Sequence, residues 1–393
     1  MNVLLKNCRV LDVNSGLVTE ADVDVKNGDI QTIAKNITAE KSQRLIDLQG
    51  IYLLPGLISC HTHLTIVFPF NLSDPNEDPA ISALRAYRRG QDALHAGVTT
   101  VRTVGELNRA DLALRKAYSY GWVTGPRIFS AGLGVSVSGG HGHGFTAEAD
   151  GVDDFRKKCR LDLLAGANHI KIFLTGGIAH KDETFSESQM CDDEIEATVQ
   201  VARSKGTYVC AHVGDSEPIM RGVRAGVRCF EHTYNLDSAA ANAIKKENGF
   251  IVPTLGVTRS KDWMNSRGFE GWTICKAVSA GGDHLESIKT AVKAGVTLVN
   301  GTDIPPGDTD DGASIVVREM EHCLAAGLTP LEVIQTATIN AAKLINSDCL
   351  GEIKVGSKAD FICVASNPLE NISHLRNICF VMQNGLVVRD DRE

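Results

Sequence analysis

The chain has no excess of positive charge, no closely spaced cysteine pair and no long apolar run, and each lack removes a class of function. Lysine and arginine number 40 against 48 aspartates and glutamates, a formal net charge of −8. Without an overall positive field, nothing draws in a nucleic acid or an anionic membrane surface. The 11 cysteines are odd in number, and none forms a Cys-x-x-Cys pair. Most sit in apolar runs, which reads as reduced, buried thiols rather than a disulfide framework or zinc knuckle. Apolar stretches such as Gly50 to Leu54 stop early, here at Pro55, well short of the roughly 20 residues that cross a bilayer. Met1 to Asn14 reads as a strand and lacks the order of a signal peptide. A nucleotide-cradling glycine loop, a Gly-x-Ser-x-Gly elbow and a dinucleotide fingerprint are also missing. The expectation is a soluble cytoplasmic protein with a small-molecule partner, no nucleic-acid or membrane partner, and self-association into a homo-oligomer.

What is present is an ordinary globular composition, 393 residues with 43% hydrophobic and 22% charged, enough to bury a large core. The first fifty residues alternate short strand-like runs with turns: Val3 to Leu5, Arg9 to Val13, Ala21 to Val25 before Asn27-Gly28, and Arg44 to Leu48. The last fifty resemble them, with Asp360 to Val364, then Phe380 to Val388 broken at Asn384-Gly385. Between these flanks, apolar runs alternate with helical patterns, the signature of βα units and a parallel sheet. Eight strand candidates stand out: Leu57 to Leu64, Thr99 to Val104, Arg127 to Ala131, His169 to Phe173, Thr207 to Val213, Arg228 to Thr233, Phe250 to Leu255 and Thr297 to Asp303. Gly97, Gly166, Gly226 and Gly295 each close a helical stretch just before a strand, as helix-capping glycines do. Eight such units predict an α/β fold of the (β/α)8 TIM-barrel type, whose active site lies at the C-terminal strand ends.

The polar residues at those ends are of one chemical kind. His61 and His63 close the first candidate strand, and residues two apart on a strand share a face. Lys171 lies in the fourth, His212 ends the fifth, His232 ends the sixth and Asp303 ends the eighth. Left unpaired, each buried polar group costs roughly 1–3 kcal/mol, and a metal centre removes that cost. His95, His284, His322 and His374 stand alone in the sequence and read as surface or satisfied core residues.

With these residues in place, the chain resembles the amidohydrolase superfamily. His61-x-His63, Lys171, His212, His232 and Asp303 match that family's ligand pattern in order and spacing, and Gly351 to Asp360 resembles its return into a small β-sandwich. The resemblance implies a barrel over residues 55–345 and a discontinuous β-sandwich from 1–54 and 346–393. It also implies two divalent metal ions, usually zinc, with His61, His63 and Asp303 on one and His212 and His232 on the other. Lys171, converted to N6-carboxylysine, would bridge them; the alternative is a barrel lysine paired with an acid. A hydroxide shared by the ions would attack an amide carbonyl, with Asp303 as the catalytic residue that moves its proton.

Within the superfamily the likeness is to the Xaa-Pro dipeptidase and imidazolonepropionase-like branch, carried by Gly139-Gly140-His141-Gly142-His143-Gly144, Gly176-Gly177 and Glu231-His232. His141 and His143 are candidate substrate contacts, against the reading of a solvated loop. Two departures stand out: His212 is followed by Val213-Gly214-Asp215 without an aromatic hydroxyl, and Thr233-Tyr234 replaces a glycine. Tyr234 is a third candidate substrate contact, against that of a packed tyrosine. Arg102 either meets an anionic group or braces the barrel, and Ile304 to Asp311 either forms a substrate rim or is a solvated turn. The expected reaction is hydrolysis of an amide C–N bond in a dipeptide or N-acyl amino acid. The alternatives are a cyclic amide hydrolase or deaminase, a lactonase or esterase on the same centre, and last a noncatalytic scaffold.

Overall fold

The computed structural model describes residues 2–308 and 315–392. All eight expected parallel strands are present, in the expected order and alternating with helices. Leu57–Thr62, Val98–Thr103 and Arg127–Ser130 pair in parallel. Ile170–Phe173, Val209–Asp215, Cys229–Asn235, Phe250–Val252 and Thr297–Leu298 form the main run of a second, seven-stranded parallel sheet. Backbone hydrogen bonds join the first of the eight to the chain just past the last, from the Cys60 N–H to the Asn300 carbonyl (2.8 Å) and from the Thr302 N–H to the His61 carbonyl (2.9 Å).

Local chemistry sets the helices between them. The helix Pro79–His95 starts on Asp78, whose side chain accepts the Ala80 N–H, with proline at its first position, where the missing N–H costs nothing. Val152–Ala165 and Ser216–Ala225 end as expected on Gly166 and Gly226, at φ 111° and 98°. Their inner faces bury Phe155 and Ile219 against Ile172, Ala211 and Phe230 of the sheet in one apolar cluster. Among the described residues, no helix is long and apolar enough to cross a membrane.

The two chain ends share one eight-stranded sheet. Asn2–Leu11 pairs antiparallel with Val18–Lys26 and parallel with Arg44–Asp47 and Tyr52–Pro55. Tyr52–Pro55 then pairs antiparallel with Phe361–Val364 from the far end of the chain. The two asparagine-glycine turns meet here: a β-carbon on Gly28 would lie 2.9 Å from the Asn384 carbonyl oxygen, so only glycine fits.

The structure corrects several expected boundaries. Asp29–Ala34 and Tyr52–Pro55 are additional strands. The first is half polar and lies at the sheet edge, and the second is fused in sequence to the apolar run of the next strand. The last parallel strand ends at Leu298 rather than Asp303. The following chain stays hydrogen-bonded to its neighbours but leaves the ladder, and Asp303 lies on it at φ 57°. Likewise Phe250–Val252 stops short of Leu255 because Thr254 turns left-handed at φ 54°, while Val209–Asp215 runs past His212. Of the turn Ile304 to Asp311, the residues Thr309, Asp310 and Asp311 lie outside the described residues.

The parallel strands and the end sheet are tied by Asp360, which accepts from Arg127 Nη1 (2.5 Å) and the Asn384 N–H (2.8 Å). Asp360→Ala leaves Arg127 half-buried without its carboxylate. It is expected to lower the unfolding free energy by about 2 kcal/mol, read as a shift in the urea midpoint, with turnover unchanged.

Candidate metal centre

Each candidate ligand is presented by a parallel strand or the turn just beyond it. His61 lies in Leu57–Thr62 and His63 one residue past its end, so both imidazoles face the same side. Asp303 is carried to them by its left-handed turn, where its own N–H donates to the His61 carbonyl at 3.0 Å. Its Oδ1 then lies 3.2 Å from Nε2 of both His61 and His63. One ligand atom from each of these three residues falls within 4.8 Å of the others, the convergence a single divalent ion needs. Burial opposes ionisation at Asp303, but His61 and His63 outweigh it and hold the carboxyl well below its usual range.

His212 and His232 complete a continuous set of rings. His61 is 4.9 Å from His232, and His232 is 4.5 Å from His212, centroid to centroid. Burial, followed by the neighbouring imidazoles for His212, drives both pKa values well down, which keeps these rings neutral as metal ligation requires. His232 and Thr233 have φ of 70° and 55°, a strained conformation for non-glycine residues. The kink breaks strand alternation, so the adjacent Glu231 and His232 both reach His61.

Lys171, in Ile170–Phe173, is 2% exposed and its Nζ sits 4.9 Å from the Phe173 ring centroid. Among the described residues its amine has no hydrogen-bond or ion-pair partner, so the reading of a lysine paired with an acid is not met. Burial lowers its pKa, favouring the neutral amine that can take up carbon dioxide.

All six candidate ligands and His141 line one cavity of about 180 Å³. His141 stacks on His212 at 4.1 Å and bonds Glu183 Oε2 through Nδ1 at 2.6 Å. Gly177 passes so close to both rings that a β-carbon there would lie 2.4 Å from His141 and 2.8 Å from His212. Tyr234 is buried, stacked parallel to His232, and lines an adjoining recess with His141 and Asp303. The structure does not bring His143 to the site: it is exposed and paired with Glu148 at 2.8 Å. The same Glu148 oxygen accepts the Gly144 N–H at 3.2 Å, which holds this part of the loop against that carboxylate.

Sequence reading missed the groups that hold the ligands. Glu231 Oε2 lies 2.6 Å from His61 Nδ1, and its Oε1 accepts from Arg102 at 2.5 Å. Gly105 O meets His63 Nδ1 at 2.9 Å, Thr254 Oγ1 meets His232 Nδ1 at 2.7 Å, and Gly176 O meets His212 Nε2 at 3.2 Å. His180, on the loop after the fourth parallel strand, also lines the cavity. Arg102, singled out as meeting an anionic group or bracing the barrel, meets the anionic Glu231; a glutamate inside an apolar strand was the available signal for its partner. Cys60 and Cys210, one and two positions before His61 and His212, are fully buried, as the apolar runs around most of the cysteines predict.

A model of the amidohydrolase family matches residues 52–388. This chain belongs to the amidohydrolase family. It is a hydrolase acting on carbon–nitrogen bonds. A crystal structure of an amidohydrolase superposes with a TM-score of 0.91 at 30% identity, covering 100% of both chains. A prolidase crystallised with N-methylphosphonate-L-proline gives 0.93 at 29% identity, over 99% of this chain and 100% of that one. Ochratoxinase of Aspergillus niger is 29% identical over 353 residues, 81% of this chain and 71% of the relative. The match places this amidohydrolase in the branch with prolidases.

His284 behaves as the satisfied core residue expected of it, bonding the His232 carbonyl at 2.9 Å and Thr258 at 3.0 Å. Burial pushes its pKa down to about 4, while the unfolded chain takes up that proton near pH 6.5. Its contribution is therefore complete above pH 6.5 and lost as pH falls towards 4, about 3 kcal/mol in all. The thermal unfolding midpoint is expected to fall over that interval, less steeply in His284→Asn; equal slopes contradict the assignment.

Proposed function

We propose that this amidohydrolase cleaves the amide C–N bond of a dipeptide or N-acyl amino acid at a centre for two divalent ions, zinc being the family's usual metal. The observation that carries the reading is the convergence of His61, His63, Lys171, His212, His232 and Asp303 on one cavity. His61, His63 and Asp303 would hold one ion and His212 and His232 the other, with Lys171 as N6-carboxylysine between them. The residues fit: the imidazoles of the second pair are held neutral, and Lys171 is buried beside them, its amine without a hydrogen-bond or ion-pair partner among the described residues. A one-ion deaminase centre leaves that lysine without a purpose. Ions held there would supply a water that ionises near neutral pH and would polarise the scissile carbonyl.

The chain's own residues then move protons and exclude water. Asp303 Oδ1 accepts the proton of the attacking water and delivers it to the departing amine nitrogen. Phe68, Phe70, Leu107, Phe145 and Phe173 make most of the cavity wall apolar, which suits a small substrate with an apolar part. His141 would donate to the substrate's carboxylate or oxyanion, and Tyr234 borders the recess beside it. The eight parallel strands are read as a closed (β/α)8 barrel over 55–345, and the shared end sheet as part of a β-sandwich formed by 1–54 and 346–393.

Asp303→Asn is expected to retain the fold and lose about 10²- to 10⁴-fold in kcat, the range of a lost general acid–base. The assay is a panel of dipeptides and N-acyl amino acids varied at the C-terminal residue. Unchanged turnover in the variant overturns the proton-transfer role, and wild-type activity confined to lactones or ring amines overturns the amide reading.

A further inference from the structure

Four histidines face the proposed centre, and their remaining ring nitrogens are held unequally. His63 and His212 meet backbone carbonyls and His232 a hydroxyl, all neutral groups. Of these four candidate ligands, His61 alone is backed by a carboxylate among the described residues, Glu231 at 2.6 Å. Glu231 is in turn clamped: Arg102 donates to its other oxygen at 2.5 Å, and the Cys229 thiol lies 3.1 Å from that same atom. Arg102 is fixed as well, its Nε donating to the Cys60 carbonyl, one residue before His61, at 2.6 Å. Both charged side chains are 0% exposed.

Stability alone does not account for such a pair. Burying two ions costs several kcal/mol per ion, and replacing a buried pair with apolar groups is often neutral or stabilising. What an apolar replacement removes is an anion on His61 Nδ1. That anion fixes the proton on Nδ1, leaves Nε2 as the lone-pair donor towards Asp303, and raises the basicity of that donor. Neutral acceptors fix a tautomer with less gain in basicity.

We propose that the buried Arg102–Glu231 pair is a positioning element for metal binding, which makes the position of His61, His63 and Asp303 the tighter of two unequal divalent-cation sites. The inference rests on the two-ion reading above. Glu231 touches no substrate; it acts through His61. The two positions therefore fill in order, the His61 position first.

The test is a titration of the full chain, stripped with a chelator, using Zn²⁺ against a chromophoric competitor. Wild type is expected to bind in two resolved steps. Glu231→Gln keeps an acceptor near His61 but removes the charge. It is expected to weaken the tighter step about 10- to 100-fold and to leave the weaker step within about threefold. Because Glu231→Gln strands the Arg102 charge, the double variant Arg102→Met with Glu231→Gln is measured beside it, with folding checked by circular dichroism. The double variant is expected to show the same selective loss. A tighter step unchanged in both variants, or both steps weakened equally, overturns the proposal. One ion per chain in wild type instead overturns the two-ion reading. The role of Glu231 then stands if Glu231→Gln weakens that ion at least tenfold, and falls if it does not.

Discussion

The cost of burying ionisable side chains governs the whole carboxyl end of the parallel strands. His61, Lys171, His212, Glu231 and His232 are each at most 4% exposed, and in a low-dielectric interior none is tolerated without compensation. Compensation is visible for most of them. Glu231 is held ionised well below its usual range because Arg102 and His61 outweigh its burial. Two imidazoles are driven neutral, and Asp303 is held by His61 and His63. Lys171 is the group left over. Among the described residues its amine has no hydrogen-bond or ion-pair partner, and the proposed carboxylation and a pair of cations would supply one.

The rest of the fold supplies rigidity for that arrangement. His232, Thr233, Thr254 and Asp303 all take left-handed backbone conformations, each at a cost of about 1 kcal/mol or more. Such strain persists only where the surroundings over-determine it. Here the surroundings are specific: Thr254 bonds His232, while the N–H groups of Leu255 and Gly256 are accepted by the buried Glu319. The Leu64 and Thr65 N–H groups are likewise accepted by the buried Glu106. Buried carboxylates thus pin the turns on either side of the ligands, and the apolar cluster behind the strands fixes the turns to the sheet.

Much of this was legible in the sequence. Apolar runs closed by Gly166 or Gly226 placed the parallel strands, because helix termination and strand burial are local properties. The ligand types were legible because polar residues at the ends of buried strands have few other reasons to be there. Asp303 was expected at the end of a strand, yet the ladder stops at Leu298; its left-handed turn depends on hydrogen bonds to His61, more than two hundred residues away. Glu231 escaped for a similar reason. Strict alternation puts it on the opposite face from His232, and only the kink at His232 and Thr233 brings both to His61. His143 was drawn in by its glycine-flanked motif, and its pairing with Glu148 is a tertiary fact that no spacing encodes.

The central claim is that two cations share this site with a modified Lys171. An anomalous-difference map at the zinc edge, from crystals grown with zinc and bicarbonate, tests it most directly. The account predicts two peaks, one flanked by His61, His63 and Asp303 and one by His212 and His232, with density extending from Lys171 Nζ between them. A single peak, or two peaks with an unmodified lysine, would contradict it.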